Sequence, residues 1–177
     1  IIFTTEEFDK SKLYNKEASV LYDINGNEIA RLGRENRELV TYDELPQVLV
    51  DAIVATEDSR FFQHNGFDAP RFLKASIGQL MGRDAGGAST LTMQVAKNTF
   101  SRQADGEIAS GLNLEGIARK FQDIYIAIFK LEKKYTKQEI IEFYVNNHFL
   151  GGNIYGVSEA SEVYFGKKVS ELNLSEA

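Results

Sequence analysis

The sequence predicts a mainly α protein with one small β-hairpin near its N-terminus, and two observations carry this. From Pro46 onward, apolar residues recur at intervals of three and four in one segment after another. Before that, Asn25-Gly26, a dipeptide that tolerates positive backbone φ, separates two short runs, 19–23 and 28–32, that fit a tight hairpin.

The first helix should open at Pro46, whose fixed φ suits a first turn, carry Leu49, Val50, Ile53 and Val54 on one side, and end near Glu57 or Asp58. A second should follow Asp68, with Pro70 in its first turn and Phe72, Leu73, Ile77, Leu80 and Met81 along an apolar side. Glycines within 83–88 break it. Ser89 or Thr90 can cap the free amides of a third helix running towards Phe100. Residues 101–111 are polar, lack a period and read as a loop. The longest pattern, Leu114, Ile117, Phe121, Ile124, Tyr125, Ile128 and Leu131, predicts a central core helix. Thr136 and Glu139 have capping-box spacing and open a helix through Ile140, Ile141, Tyr144 and Val145, which Gly151-Gly152 ends. A short last helix over 157–164 is stopped by Gly166. No internal repeat is visible.

With 177 residues, 43% of them hydrophobic, one domain with a substantial core is the default. The absence of cysteine excludes disulfides, thiolate metal sites and a cysteine nucleophile. His64 and His148 are far apart and lack helical His-to-His spacing, so any metal should be a hard cation held by oxygens. A net charge of -6 argues against a nucleic-acid partner. No run of about 18 apolar residues is present, so no segment should span a bilayer, and a membrane anchor is expected outside this chain.

Three clusters concentrate chemistry. In Glu57-Asp58-Ser59-Arg60-Phe61-Phe62-Gln63-His64-Asn65-Gly66, two acids, a base, an imidazole and aromatic rings meet where a helix gives way to loop. A carboxylate at a helix C-terminus feels the negative end of the dipole, so Glu57 is placed to accept a proton. By spacing alone, the cluster reads first as a solvated acidic helix end with His64 hydrogen-bonded locally. In the second cluster, glycines at 86 and 87 feed Ser89, Thr90, Thr92, Gln94, Lys97 and Asn98 into a helix start. Free amides there could receive a phosphate, and Thr90, Gln94 and Lys97 would share one face. It is not a Walker loop, and in isolation it reads as an ordinary capped helix. The third, Arg119-Lys120-Phe121-Gln122-Asp123, offers a surface ion pair or, with Lys97, cations for a diphosphate.

Taken together and in this order, the clusters resemble the blocks of family 51 glycosyltransferases, the domain of class A penicillin-binding proteins and monofunctional transglycosylases. The resemblance covers roughly residues 46–167. The first block, Glu-Asp-x-x-Phe-x-x-His-x-Gly, is filled by Glu57, Asp58, Phe61, His64 and Gly66. The second is supplied by Gly87, Ser89, Thr90, Thr92, Gln94, Lys97 and Asn98. Later blocks fall on Lys137, Ile140, Tyr144, Asn146 and Gly151, then on Gly156, Ala160 and Tyr164-Phe165-Gly166-Lys167. Two positions depart: Met93 replaces a glutamine, and Asp123 stands where the third block carries glutamate, shortening the acid by one methylene.

The resemblance implies a lysozyme-like, two-lobed fold with an N-terminal linker and hairpin over 1–45 and the transferase domain over 46–177, truncated at its C-terminus. A membrane-facing lobe is expected around 66–88, its apolar residues Phe67, Phe72, Leu73, Ile77, Leu80 and Met81 equally readable as core. It implies polymerisation of lipid II, the lipid-linked disaccharide precursor, into β-1,4-linked glycan with release of polyprenyl pyrophosphate. Glu57 would be the general base and Asp123 the second catalytic acid. Asp58, Phe61, His64, Ser89, Thr90, Gln94, Lys97, Asn98, Arg119 and Lys120 would form the substrate site. Mg²⁺ or Mn²⁺ is the implied cofactor, with Asp123 the candidate ligand and no organic cofactor. Expected partners are lipid II, the growing glycan strand, the membrane surface and a cell-wall synthesis complex, on the extracytoplasmic face of a bacterial cell membrane. The alternatives are a lysozyme-like lytic enzyme, which has no need of the phosphate-side cations, and a noncatalytic lipid II-binding scaffold.

Overall fold

The computed structural model describes residues 19–32, 38–82, 87–99, 114–152 and 154–177; the expected linker before residue 19, most of the glycine break after the second helix and the loop at 101–111 lie outside them. Strands β1 (Ser19–Tyr22) and β2 (Glu28–Leu32) pair antiparallel, with an irregularity between Leu21 and Tyr22. The connection is organised by Asp23, whose Oδ1 accepts from the amides of Asn25 and Asn27 at 2.8 Å each.

Among the described residues six α-helices follow: α1 (Gln47–Glu57), α2 (Ala69–Leu80), α3 (Leu91–Thr99), α4 (Leu114–Ile126), α5 (Lys137–Asn147) and α6 (Val157–Phe165). Their starts have visible causes. Pro46 sits at the N-cap of α1. Asp68 accepts the Arg71 amide at 2.9 Å and so caps α2. Thr136 and Glu139 form the reciprocal capping box of α5. Gly166, in the left-handed conformation, terminates α6.

The central helix is α5, not the longer pattern beginning at Leu114. Ile140, Ile141, Phe143, Tyr144, Val145 and Asn146 are all buried, because α3, α6 and the turn at Tyr42–Glu44 pack around α5. Each large apolar side chain enclosed this way contributes about 1.5–3 kcal/mol relative to exposure. In α4, by contrast, Phe121 is largely exposed, and among the side chains whose burial is described, full burial appears at Ile126 and then at Ala127 and Leu131 beyond the helix. Apolar spacing defines a face but does not say whether another element covers it. Asn146 ties the segment before α1 to this core: its Oδ1 accepts from Val40 N at 3.0 Å and its Nδ2 donates to Val40 O at 2.8 Å. Val40 and Leu45 accordingly belong to the same hydrophobic cluster as α1, α3 and α5.

The expected continuous helix through Leu131 changes winding. From Ala127–Leu131 the chain makes a π turn, in which Glu132 N donates to Ala127 O at 3.0 Å. Gly66 packs against this turn with φ +86, and a Cβ there would lie 2.9 Å from the Ala127 carbonyl carbon. Gly66→Ala should therefore cost about 3 kcal/mol or more, combining left-handed strain with overpacking against backbone. Gly26, also at positive φ but with nothing within 4 Å, should lose only on the order of 1 kcal/mol on the same change. Equal unfolding midpoints for the two variants in denaturant would disprove the close approach.

Candidate active site

The junction after α1 is organised by a buried carboxylate. Asp58, fully inaccessible, caps α1 and receives its helix-end geometry from a backbone bond to Val54 O at 3.0 Å. His64 Nε2 donates to both of its oxygens at 3.0 Å, and the Leu91 amide at the start of α3 donates to Oδ2 at 3.0 Å. Arg71 Nη1 lies 3.7 Å from Oδ1. A carboxylate against the N-terminus of α3 is also favoured by that helix's dipole. One side chain thereby joins the end of α1, the following turn, α2 and α3.

Arg71 extends the brace to its neighbour. Its Nη1 donates to the main-chain carbonyl of Glu57 at 2.7 Å and its Nε to Gly87 O at 2.9 Å. Arg60 pairs with buried Asp68 through two hydrogen bonds, the Nε contact at 2.9 Å. Phe61 is fully buried, and Lys137 Nζ stands 4.2 Å from its ring centroid while bonding Glu132 at 2.8 Å. Thr92 donates to the same Glu132 oxygen at 2.6 Å.

Glu57 itself is partly accessible. Gln94 Nε2 donates to its Oε2 at 2.7 Å, and Oε1 has no hydrogen bond to the described residues. The carboxylate borders a groove of about 400 Å³ lined mainly by apolar residues such as Ile53, Leu150 and Tyr164. Burial first, and the negative charge of Glu57 second, raise the pKa of Tyr144 above the usual phenol range, so its hydroxyl stays protonated.

On the far side of Gln94 opens a cleft of about 520 Å³, whose walls include Ser89, Lys97, Asn98, Arg119, Lys120 and Asp123. Lys120 donates to Ser89 Oγ. Burial lowers the Lys120 pKa below the usual lysine value; Asp123 opposes this shift and Lys97 adds to it. A desolvated, mutually repelling group of cations is stabilised by an anion, so the cleft suits a phosphate group.

The clusters are thus assembled, but not every expected substrate contact reaches the cleft. Ser89, Gln94, Lys97, Asn98, Arg119, Lys120 and Asp123 do. Thr90 is buried, donating to Gly66 O at 2.7 Å and accepting the Met93 amide at 3.2 Å. Asp58, Phe61 and His64 are likewise turned inward and hold the loop. Met93 is almost wholly buried, which accounts for an apolar side chain at a position expected to be glutamine. Arg71, Asp68, Tyr144 and His148 were not among the candidates; arginine 13 positions beyond Asp58 produces no periodic or motif signal.

Residues 25–177 match the transglycosylase family. The chain belongs to that family. It is 37% identical over 171 residues to penicillin-binding protein 1A/1B of Bacillus subtilis, covering 96% of this chain and 18% of that protein. It is 40% identical over 157 residues to penicillin-binding protein 1A of Escherichia coli, covering 88% of this chain and 17% of that protein. Penicillin-binding protein 1A of Aquifex aeolicus is 38% identical over 162 residues, 91% of this chain and 21% of that protein. The chain therefore spans about a fifth of the length of these relatives.

Among the described residues, ligand atoms of Asp58, His64 and Asp68 come within 4.8 Å of one another, close enough for a metal ion. Arg60, Arg71 and the Leu91 amide already meet these carboxylates, so a cation would displace existing positive partners. The cluster is a structural brace.

The Asp68 carboxyl is held below its ordinary value of 3.8 chiefly by hydrogen bonds from Arg60, with the Arg71 amide adding and burial opposing. Because the folded value is the lower one, the resulting stability is complete above the unfolded value and is lost as pH falls through the folded one. Asp68→Asn should lower the denaturation midpoint at pH 7, and its difference from the parent should close below about pH 3.8. A difference constant across that range would exclude the carboxylate as its source.

Proposed function

We propose that this chain is a peptidoglycan glycosyltransferase domain that polymerises lipid II into β-1,4-linked glycan. The observation that carries the reading is the junction at Gln94: one side of its amide holds Glu57, and the residue also lines the cleft bearing Lys97, Arg119 and Lys120. A proton acceptor and an anion site thus stand side by side, as displacement of a diphosphate by a hydroxyl requires. A lytic enzyme acting on finished glycan has no use for three cations beside its acid.

In the proposed reaction, Glu57 takes the proton from the acceptor's 4-hydroxyl as that oxygen forms a bond to the anomeric carbon of the lipid-linked strand. The bond from that carbon to the polyprenyl diphosphate breaks, with inversion, and the departing oxygens carry the electron pair. Lys97, Arg119 and Lys120 stabilise that negative charge, and Ser89 and Asn98 lie on the same wall. Gln94 fixes the carboxylate of Glu57, while Arg71 fixes its main chain. Asp58 and His64 act one step back, by keeping α1 and α3 in register.

Asp123 is a single carboxylate among cations, so the cleft fits Mg²⁺ or Mn²⁺ only where diphosphate oxygens complete the ligand set. Such an ion would add charge neutralisation at the leaving group. Asp123 also offsets part of the cationic charge, opposing the lowering of the Lys120 pKa.

The reading includes a lysozyme-like, two-lobed domain working at the extracytoplasmic face of a bacterial cell membrane, within a cell-wall synthesis complex. No helix among the described residues is long and apolar enough to cross a membrane. Surface attachment is supported by α2 and its flank, where Leu73 is 60% exposed, Ile77 48% and Met81 61%, at four-residue intervals on one face. Phe67 and Phe72 pack together behind it, ring centroids 5.3 Å apart.

Glu57→Gln should reduce polymerisation of labelled lipid II in detergent by about 10² to 10⁴, with the melting temperature retained. Full-length glycan from that variant on a gel would remove Glu57 as the base. Changing Leu73, Ile77 and Met81 together to serine should release the chain from phosphatidylglycerol vesicles in a sedimentation assay without unfolding it, since all three side chains face solvent. Unchanged sedimentation would place the membrane contact elsewhere.

A further inference from the structure

His148 stands where the Glu57 groove meets the cationic cleft, lining both. It follows the last residue of α5, and its main chain is held from both sides. Its amide donates to Tyr144 O at 3.0 Å, and its carbonyl accepts from Gly156 N at 2.9 Å. Gly156 has φ +83, and a Cβ there would meet Asn146 O at 3.0 Å, so this anchor depends on glycine. The imidazole lies against the Tyr144 ring, centroids 4.8 Å apart and tilted by 35°. Position and direction of the ring are therefore fixed by groups other than its own nitrogens.

The two nitrogens are not equivalent. Nδ1 is buried and has no hydrogen-bond partner among the described residues. An unpaired buried N–H is more costly than an unpaired lone pair, so the proton of the neutral ring belongs on Nε2. Burial holds the pKa of the imidazole below the usual histidine value, only partly opposed by the charge of Glu57, and the ring is neutral at pH 7. The outcome is a rigid, uncharged N–H donor between a base and an anion site. A cation at this point would pair with Glu57 and compete with the incoming hydroxyl for it; a neutral donor would not.

We infer that His148 is a substrate-contacting residue whose Nε2–H donates to a sugar oxygen at the point where the Glu57 groove opens into the cationic cleft. This rests on the transferase reading, which supplies the sugar. Its role is to orient the reacting ring between proton acceptor and leaving-group site, and it leaves the charge balance of both unchanged.

Two variants separate this role from packing. His148→Phe keeps a ring over Tyr144 and removes the donor; His148→Gln removes the ring and restores a donor of similar reach. In polymerisation of labelled lipid II, His148→Phe should lose about tenfold in kcat/KM, the effect of one hydrogen bond, while its melting temperature does not fall. His148→Gln should recover most of that loss. Parent-like kinetics in His148→Phe, or equal impairment of both variants, would overturn the inference. A second readout is independent of turnover: the ¹⁵N imidazole resonances of the Glu57→Gln protein, titrated with lipid II in detergent. Nε2 of His148 should shift on saturation, and an unmoved Nε2 would overturn the contact. A parent that makes no glycan counts against the transferase reading alone, and the titration then decides the contact by itself. Absence of any resonance change would bring down both.

Discussion

A single buried carboxylate sets the geometry on which the rest of the site depends. Asp58 has no access to solvent, so its charge is tolerable only because a histidine, an arginine and a helix-start amide surround it. Those partners come from the loop after α1, from α2 and from α3. None of these elements can shift without uncovering a charge in a poorly polar interior. The neighbouring residue inherits this rigidity: Glu57 sits at the end of a helix whose last carbonyl is clamped by the same arginine. The fixed position of Glu57 is thus a by-product of burying the acid beside it.

Around that brace, charge is sorted by depth. The acids Asp58, Asp68 and Glu132 lie inward, each matched to arginine, lysine or histidine. The cations of the second and third clusters line an accessible cleft instead, where Lys120 carries the electrostatic cost of its neighbours and of burial. Overall charge is negative, yet the local field of this cleft is suited to anions. Net charge says nothing about such a site, because its cations come from the consecutive helices α3 and α4, which fold against each other.

Much of the helical layout was legible from the chain because its signals are local. Capping at Asp68 and Thr136, proline at residue 46 and left-handed Gly166 each act over a few residues, and the helices begin and end there. What was not legible depends on who packs against whom. Spacing made Leu114 to Leu131 the central helix, but centrality requires neighbours, and α5 has them. The π turn at Ala127 preserves apolar spacing closely enough to be invisible in it, and it is met by Gly66, far earlier in the chain, whose missing Cβ lets the two backbones approach. The chemistry-bearing clusters could be found by residue type. Their division of labour could not: Thr90 and Phe61 face inward while Ser89 and Lys97 face the cleft, a distinction one residue wide at Ser89 and Thr90.

The two departures from the family pattern have different weight for the same reason. Met93 is almost wholly buried at the floor of the cationic cleft, where an apolar side chain is tolerated, and the contact to Glu57 is made by Gln94, the next residue. Asp123 lies in the cleft among Arg119 and Lys120 and acts on the charge of Lys120. Shortening the acid by one methylene draws its carboxylate back toward the backbone of α4 and reduces its reach across the cleft. In the proposed reaction, the consequence of this substitution falls on the cationic cleft, while the Glu57 carboxylate is held by Gln94 and not by Asp123.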